Sequence, residues 1–343
     1  MRYKLLGKSG LRVSELCLGT MTFGEDWGWG SSKEESRKVY DAFLEAGGNF
    51  IDTANVYTMG TSEKFVGEFI RDHRAEIVLA TKYTNTAPSK DANAGGNHRK
   101  NMFQAIEASL KRLGTDYIDL YWMHIWDQMT PVEEVMRGFE DLIRSGKVLY
   151  AGVSDAPAWW IARANTLAEL RGWGKFVGLQ IEYSLIERTV ERELLPMAKA
   201  LKIGVTAWSP LAGGVLSGKY QGGQAKDARY SSDMMKAFQA GGERTEKVVA
   251  AVKQVGQQLG RNPAQVAIAW LLHRDQPIIP IIGTRKLSQL HDNLAALEIK
   301  LSGDQIRLLD QASAIPLGFP HEFYTNEMVR TLIYGGLRDK IVA

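Results

Sequence analysis

Four polar residues stand where apolar runs of the 343-residue chain end: Asp52 in 49–54, Tyr57 in the stretch after it, Lys82 in 77–83 and His124 at the close of 117–124. The set has the parts needed to reduce a carbonyl. That reaction needs a hydride donor and an acid that protonates the developing alkoxide, and a tyrosine can serve if its proton is made easier to release. An unperturbed phenol, with a pKa of about 10, holds its proton too tightly near neutrality. A lysine ammonium beside it favours the phenolate, and a carboxylate next to the lysine keeps the lysine charged and oriented. Tyr57, Lys82 and Asp52 fit these roles, and His124, neutral beside the cation, would direct the substrate oxygen. Taken singly, each has a plainer explanation: a turn cap, a loop aromatic, a solvated strand end, a hydrogen-bonded histidine. Their joint appearance at the ends of three successive runs favours the chemical one.

Such residues need a scaffold that gathers strand ends. Eight short β-rich runs recur along the chain, at 16–20, 49–54, 77–83, 117–124, 148–155, 176–183, 203–210 and 278–284. Most are followed by a stretch of helical periodicity, at 33–46, 61–70, 102–113, 131–144, 159–171 and 187–201, and Gly47-Gly48 marks the end of the first. Alternating units of this kind build a parallel sheet, and eight is the barrel number. The expected fold is a single-domain α/β structure over 1–343, a (β/α)8 TIM barrel with an N-terminal β-hairpin at 2–5 and 11–14 and long loops over its C-terminal face. The stretch 211–277 is too long for a plain connector; its second part, 244–273, reads as two helices and its first as a functional loop. A doubly wound sheet would carry G-x-G-x-x-G after an early strand, whereas Gly28-Trp29-Gly30 fails at the third glycine.

The arrangement Phe50-Ile-Asp52-Thr-Ala-Asn-Val-Tyr57, then Ala80-Thr-Lys82, then Met123-His124, resembles the aldo-keto reductase family, and the resemblance spans nearly the whole chain. It implies that the four residues form a catalytic tetrad. Leu18-Gly-Thr-Met-Thr-Phe-Gly24 is similar too, implying cofactor contact from Thr20 and Met21. The segments Gly96-Asn-His-Arg-Lys-Asn101 and Trp208-Ser-Pro-Leu-Ala-Gly-Gly214 resemble the aryl-alcohol dehydrogenase-like branch.

The resemblance further implies that Trp208 stacks on a nicotinamide, that Ser154 with Asp155 and Gln180 bind its carboxamide, and that Ser209, Pro210 and Leu211 lie along the cofactor. Gly213-Gly-Val-Leu-Ser-Gly218-Lys219-Tyr220 matches the phosphate-loop pattern G-x4-G-K, but Tyr220 stands where Ser or Thr would hold magnesium. The family reading makes it a loop with Gly213, Gly218 and Lys219 over the pyrophosphate. In Gly283-Thr-Arg285-Lys-Leu-Ser-Gln289-Leu-His-Asp292-Asn293 a strand runs into a helix, whose N-terminus can bind phosphate. Arg285 suits a 2′-phosphate, so NADP(H) is expected, with Gly283, Thr284 and Gln289 nearby and Asp292 and Asn293 at the adenine. One common family pattern has Lys in place of Gly283 and Arg in place of Gln289. For the substrate, Trp27 and Trp29 in a glycine-rich loop, Tyr83 and Trp126, with Phe319, His321 and Tyr324 of the tail, suggest aromatic or bulky apolar aldehydes. Trp159 and Trp160 read as core or interface.

Composition sets outer bounds. Hydrophobic residues make up 45% and charged ones 24%, which suffices for a sizeable core, and the net charge of +3 without like-charge runs gives no footing for nucleic acid. The lone Cys17, expected in the core, excludes an intrachain disulfide and a Cys-based metal cluster. The basic N-terminus lacks a signal-peptide apolar core, and the longest apolar stretch, 266–272, falls far short of the roughly 20 residues that span a bilayer. A cytoplasmic enzyme with no metal, no membrane partner and a small-molecule carbonyl substrate is expected; oligomeric state is left open. Two rivals have different chemistry: a metal-dependent hydrolase with His124 and Asp127 as ligands, and a redox-sensing NADP(H)-binding subunit with weak turnover.

Overall fold

The computed structural model describes residues 1–217 and 242–342. An antiparallel hairpin, β1 (Tyr3–Leu5) and β2 (Arg12–Ser14), precedes eight parallel strands: β3 (Cys17–Gly19), β4 (Phe50–Asp52), β5 (Val78–Tyr83), β6 (Ile118–Met123), β7 (Val148–Ser154), β8 (Phe176–Glu182), β9 (Gly204–Trp208) and β10 (Ile278–Gly283). They close in sequence order, β10 pairing with both β9 and β3. Every expected strand is present, shorter by one to three residues where backbone pairing gives way to loop.

Two cores follow from strand alternation. Side chains facing outward pack against the helices in one large apolar layer, to which Tyr83, Tyr121, Phe139 and Phe176 contribute stacked and edge-on rings. Side chains facing inward, among them Cys17, Phe50, Ala80, Leu120, Trp122 and Ile281, fill the barrel. The hairpin belongs to this inner core through Leu6 and Val13, and Lys4 Nζ donates to the Ile278 carbonyl at 3.1 Å at the start of β10. The hairpin thus closes the end of the barrel opposite the strand C-termini.

Trp122 occupies its place because glycine stands opposite. A Cβ on Gly152 would lie 2.3 Å from Trp122 Cε3, and one on Gly178 2.8 Å from Cη2. Trp122 is in register with Lys82 on the neighbouring strand, so both side chains face the barrel interior. Gly152→Ala is expected to cost about 1–3 kcal/mol, since a close-packed interior accepts an added methyl only by strain. A fall in the urea midpoint with an unchanged slope would show it, and a midpoint equal to wild type would contradict the packing described.

Local chemistry explains where helices depart from expectation. The helix expected from 102 begins three residues earlier, as Arg99–Leu113, because His98 caps it by accepting from the Asn101 N–H at 3.2 Å. The helix expected over 187–201 is a short 3-10 turn, Thr189–Glu191, followed by Leu194–Leu201, whose late start keeps Pro196 within the first turn, where its missing N–H does no harm. Two helices, Glu243–Leu259 and Pro263–Leu272, follow as expected, and the tail carries His321–Thr325 and Glu327–Tyr334. No described helix is long and apolar enough to cross a membrane.

Candidate active site

The four strand-end residues converge. Lys82, fully buried at the end of β5, donates from Nζ to Asp52 Oδ2 at 2.5 Å, to the Thr53 carbonyl at 2.9 Å and to the Tyr57 hydroxyl at 3.0 Å. Burial opposes its charge, but the Asp52 carboxylate and the Tyr57 hydroxyl outweigh that penalty, and its pKa is raised. Asp52 is oriented from its other side by Gln180 Nε2, which donates to Oδ1 at 3.0 Å. Tyr57 opens a turn in which Thr58, Met59 and Gly60 all have positive φ. Two of these are not glycine, so the backbone holds strain directly beside the phenol. The Thr58 hydroxyl secures the turn, donating to the Phe23 carbonyl at 2.6 Å and accepting from the Ser62 N–H at 3.0 Å. The His124 ring meets Tyr57 edge-on at 5.9 Å. Its Nδ1 is buried and unpartnered among the described residues, and burial, aided by the Lys82 cation, holds its pKa well below the ordinary value, so it is neutral.

A network invisible from sequence steadies the His124 loop. Asn97, fully buried, donates to Thr84 Oγ1 at 2.8 Å and to the Ile125 carbonyl at 2.9 Å, and accepts from the Asp127 N–H at 2.7 Å. Asp127 in turn accepts from the N–H groups of Asn97, Met129 and Thr130 and from the Thr130 hydroxyl. Its carboxylate is committed to the loop, which removes the His124–Asp127 metal pair, and no group of three potential metal-binding side chains occurs among the described residues.

The aromatic candidates separate. Trp27 meets Tyr57 edge-on at 6.5 Å and Trp29 packs on Trp27 at 5.6 Å, so that loop reaches the tetrad. Trp126 lines a cavity with Ile125, Asp155, Ile181, Leu194 and Trp208, backed by Trp159 at 5.7 Å. Trp160, in contrast, is core. Tyr83 must be withdrawn as a substrate contact: it is fully buried on the outer side of β5, stacked on Tyr121, because its neighbour Lys82 takes the inward position. Phe319 and Tyr324 are exposed on the tail, and His321 bonds to Glu193 and Tyr324.

The positions expected at a cofactor lie along one side of the mouth. Trp208, at the end of β9, donates from Nε1 to Asp155 Oδ1 at 3.1 Å. Asp155 reaches solvent, yet its carboxyl is hemmed in among strand ends, and burial pushes its pKa up to about 6 against the pull of Trp208 and Lys82. Ser154 and Gln180 are buried beside it. Pro210 is buried and Leu211 half-buried, while Ser209, Ala212, Gly213 and Gly214 have positive φ, in a tight turn where the Ala212 and Gly214 N–H groups donate to the Ser209 and Leu211 carbonyls. Gly218 and Lys219 lie outside the described residues. Gly283 is exposed, Thr284 Oγ1 is buried without a partner among the described residues, and Asn293 is buried.

Two cofactor expectations change. Thr20 is fully buried, its hydroxyl donating to the Asp52 carbonyl at 3.1 Å and bonded to Ser62, so it braces Asp52 from behind the strand ends; Met21 is the residue with an open face. The helix N-terminus after β10 is already occupied: the Leu287 N–H donates to Glu35 Oε1 at 2.7 Å and the Arg285 N–H to Gln289 Oε1 at 2.9 Å. A phosphate there would be recognised by side chains rather than by those amides.

The model of the aldo/keto reductase family matches residues 15–314. The chain belongs to that family. Norsolorinic acid reductase of Aspergillus flavus is 40% identical over 93% of this chain and 82% of its own length. The aryl-alcohol dehydrogenase [NADP(+)] of Phanerodontia chrysosporium is 37% identical over 91% and 86%, and the uncharacterized oxidoreductase YrpG of Bacillus subtilis 38% identical over 94% and 99%. As an aldo/keto reductase the protein is an oxidoreductase acting on aldehydes or ketones with a nicotinamide cofactor, on the side of the family that includes the aryl-alcohol dehydrogenases. In this reductase, sequence reasoning missed the Gln180 clamp on Asp52, the Asn97 network, the Trp208–Asp155 link and the Glu35 cap. Each joins residues far apart in the chain, and only the Gly96–Asn101 segment, singled out for its branch resemblance, pointed toward one of them.

Proposed function

We propose that this protein is a cytoplasmic, single-domain enzyme that reduces aromatic or bulky apolar aldehydes and ketones to alcohols with NADPH, Tyr57 being the proton donor. One observation carries the reading: a single buried ammonium, that of Lys82, lies 2.5 Å from the Asp52 carboxylate and 3.0 Å from the Tyr57 hydroxyl at the mouth of a barrel. NADPH, when bound, supplies the hydride. The chain's own residues supply the rest. Tyr57 gives its proton to the carbonyl oxygen as charge builds there, and Lys82 stabilises the phenolate left behind. Asp52, held by Gln180, keeps Lys82 charged and aimed. His124, being neutral, offers a ring N–H to the same oxygen without adding a second cation. Trp27, Trp29 and Trp126 form apolar walls that favour a flat or bulky substituent and exclude water.

The residues at the mouth fit the cofactor. Trp208, its edge tied to Asp155, presents a flat indole for the nicotinamide, with Ser154 and Gln180 at the carboxamide and the unpartnered Thr284 hydroxyl further along. Met21, Ser209, Pro210, Leu211 and Gly213, with Gly218 and Lys219 beyond the described residues, would follow the pyrophosphate. Gly283, Arg285, Gln289 and Asn293 would hold the adenosine end.

Arg285 is the basis for preferring NADPH, the more so because Glu35 and Gln289 occupy the nearby amides. Arg285→Ala is expected to raise the dissociation constant for NADPH about tenfold to a hundredfold, the worth of a hydrogen-bonded charge, while NADH changes little. Quenching of tryptophan fluorescence measures both. Equal weakening for the two cofactors would assign Arg285 no part in discrimination. The reaction itself is followed by nicotinamide absorbance across a panel of aldehydes. Tight NADPH binding with no turnover on any of them would overturn the reductase reading in favour of a redox-sensing role.

A further inference from the structure

Beyond residue 314, where the family match ends, the chain continues in a tail that follows the last barrel strand. Its root is fastened: Arg244 donates to the Ser313 and Ala314 carbonyls, Arg192 to the Pro316 carbonyl at 2.9 Å, and His321 bonds Glu193 at 2.9 Å. Past that point only Val329 is buried. Of the nineteen large apolar side chains left exposed among the described residues, ten lie between 319 and 342. The helix Glu327–Tyr334 is properly begun by Asn326, which accepts from the Met328 N–H at 3.0 Å, and ended by Gly335 in a left-handed conformation. Eight residues with sound caps are still too few for a helix to persist without packing. Yet Met328 and Leu332, one turn apart, are 68% and 75% exposed, and Ile333 beside them is 56% exposed.

We propose that this tail is a self-association surface, covered by the tail of a second copy of the chain across a twofold axis. Its apolar area suffices. Ten aromatic and aliphatic side chains at these exposures amount to roughly 1,000 Å², against about 800 Å² per partner in a standard interface. Its charge also fits a copy of itself better than another class of partner. Glu322, Glu327 and Asp339 balance Arg330, Arg338 and Lys340, so the segment has no net charge to draw it to nucleic acid or to anionic lipid. The acids are concentrated toward the start and the bases toward the end, and a twofold axis running across the tail places the start of one tail against the end of the other. His321 bonds Glu193, which adjoins Leu194 of the cavity lined by Trp126 and Trp208, so the association sets the partner near that cavity.

Sedimentation equilibrium of the full chain at micromolar concentration should give twice the 38.2 kDa chain mass, and the double variant Leu332→Asp, Ile333→Glu the single-chain mass with unchanged NADPH affinity. As a second readout, Leu332→Cys should cross-link through a short bismaleimide into a dimer, the native Cys17 being buried. A wild type that is monomeric throughout would overturn the proposal and leave the tail covered within its own chain. So would a double variant that keeps the wild-type mass, or the absence of a cross-linked band.

Discussion

Replacing Tyr57 with phenylalanine is expected to lower kcat for aldehyde reduction by about 10²–10⁴-fold, the usual contribution of a positioned general acid. The change removes one oxygen and little else. The ring still meets Trp27 and His124, and Lys82 keeps its bonds to Asp52 and to the Thr53 carbonyl. Stability and cofactor affinity should therefore stay near wild type, which separates loss of chemistry from loss of structure. Single-turnover reduction, a thermal melt and fluorescence titration with NADPH together make the test. If kcat stayed within a few-fold of wild type, another group would be protonating the product and the assignment of Tyr57 would be wrong.

Replacing Lys82 with methionine should cost both activity and fold. Its ammonium lies wholly out of water against a nearly as buried Asp52, so its removal leaves a carboxylate held, among the described residues, by Gln180. Breaking a buried ion pair from one side typically costs about 3–5 kcal/mol, because the remaining charge is uncompensated. Catalysis should fall at least as far as in Tyr57→Phe, since the phenolate also loses its stabilising cation. The double change Lys82→Met with Asp52→Asn should recover a good part of the stability and none of the activity. A double variant as unstable as the single one would mean that packing, not the stranded charge, sets the cost.

The pH dependence of this pair has a definite sign. The pKa of Lys82 is raised in the folded state. Its contribution to stability is therefore complete below the unfolded lysine value of about 10.4, and it is lost only as pH rises through the higher folded value. The wild-type melting temperature should carry no Lys82 contribution to its slope through neutral pH, and the Lys82→Met variant should lack the alkaline loss. Asp155 has the same sign in its own, lower range. Its pKa is raised to about 6, so ionising it costs more in the folded protein, and stability falls as pH rises from the ordinary carboxylate range to about 6.

A barrel of this kind can hold one set of site residues while its loops set the substrate. The four residues sit on strand ends and in one strained turn, where the barrel leaves them little freedom. Trp27, Trp29 and Trp126 sit on the loops after the first and fourth barrel strands. Loops of this kind vary without disturbing the barrel, so substrate preference can change while the proton donor does not.

Strand number, strand order and the gathering of Asp52, Tyr57, Lys82 and His124 were legible in the sequence because each depends on local pattern. β-rich runs alternate with helical periodicity, a parallel sheet of eight such units closes on itself, and polar residues at strand ends must then gather on one face. The side on which a residue falls was harder to read, because it turns on a shift of one position: Tyr83 and Lys82 are neighbours, yet one faces the helices and the other the site. Tertiary structure alone decided the long-range polar partners. Gln180 reaches Asp52 across 128 residues, Asn97 locks Asp127 across 30, and Glu35 caps Leu287 across 252. Nothing in the types or spacing of such residues marks them as partners, since each could equally bond to water until the barrel closes and takes that water away.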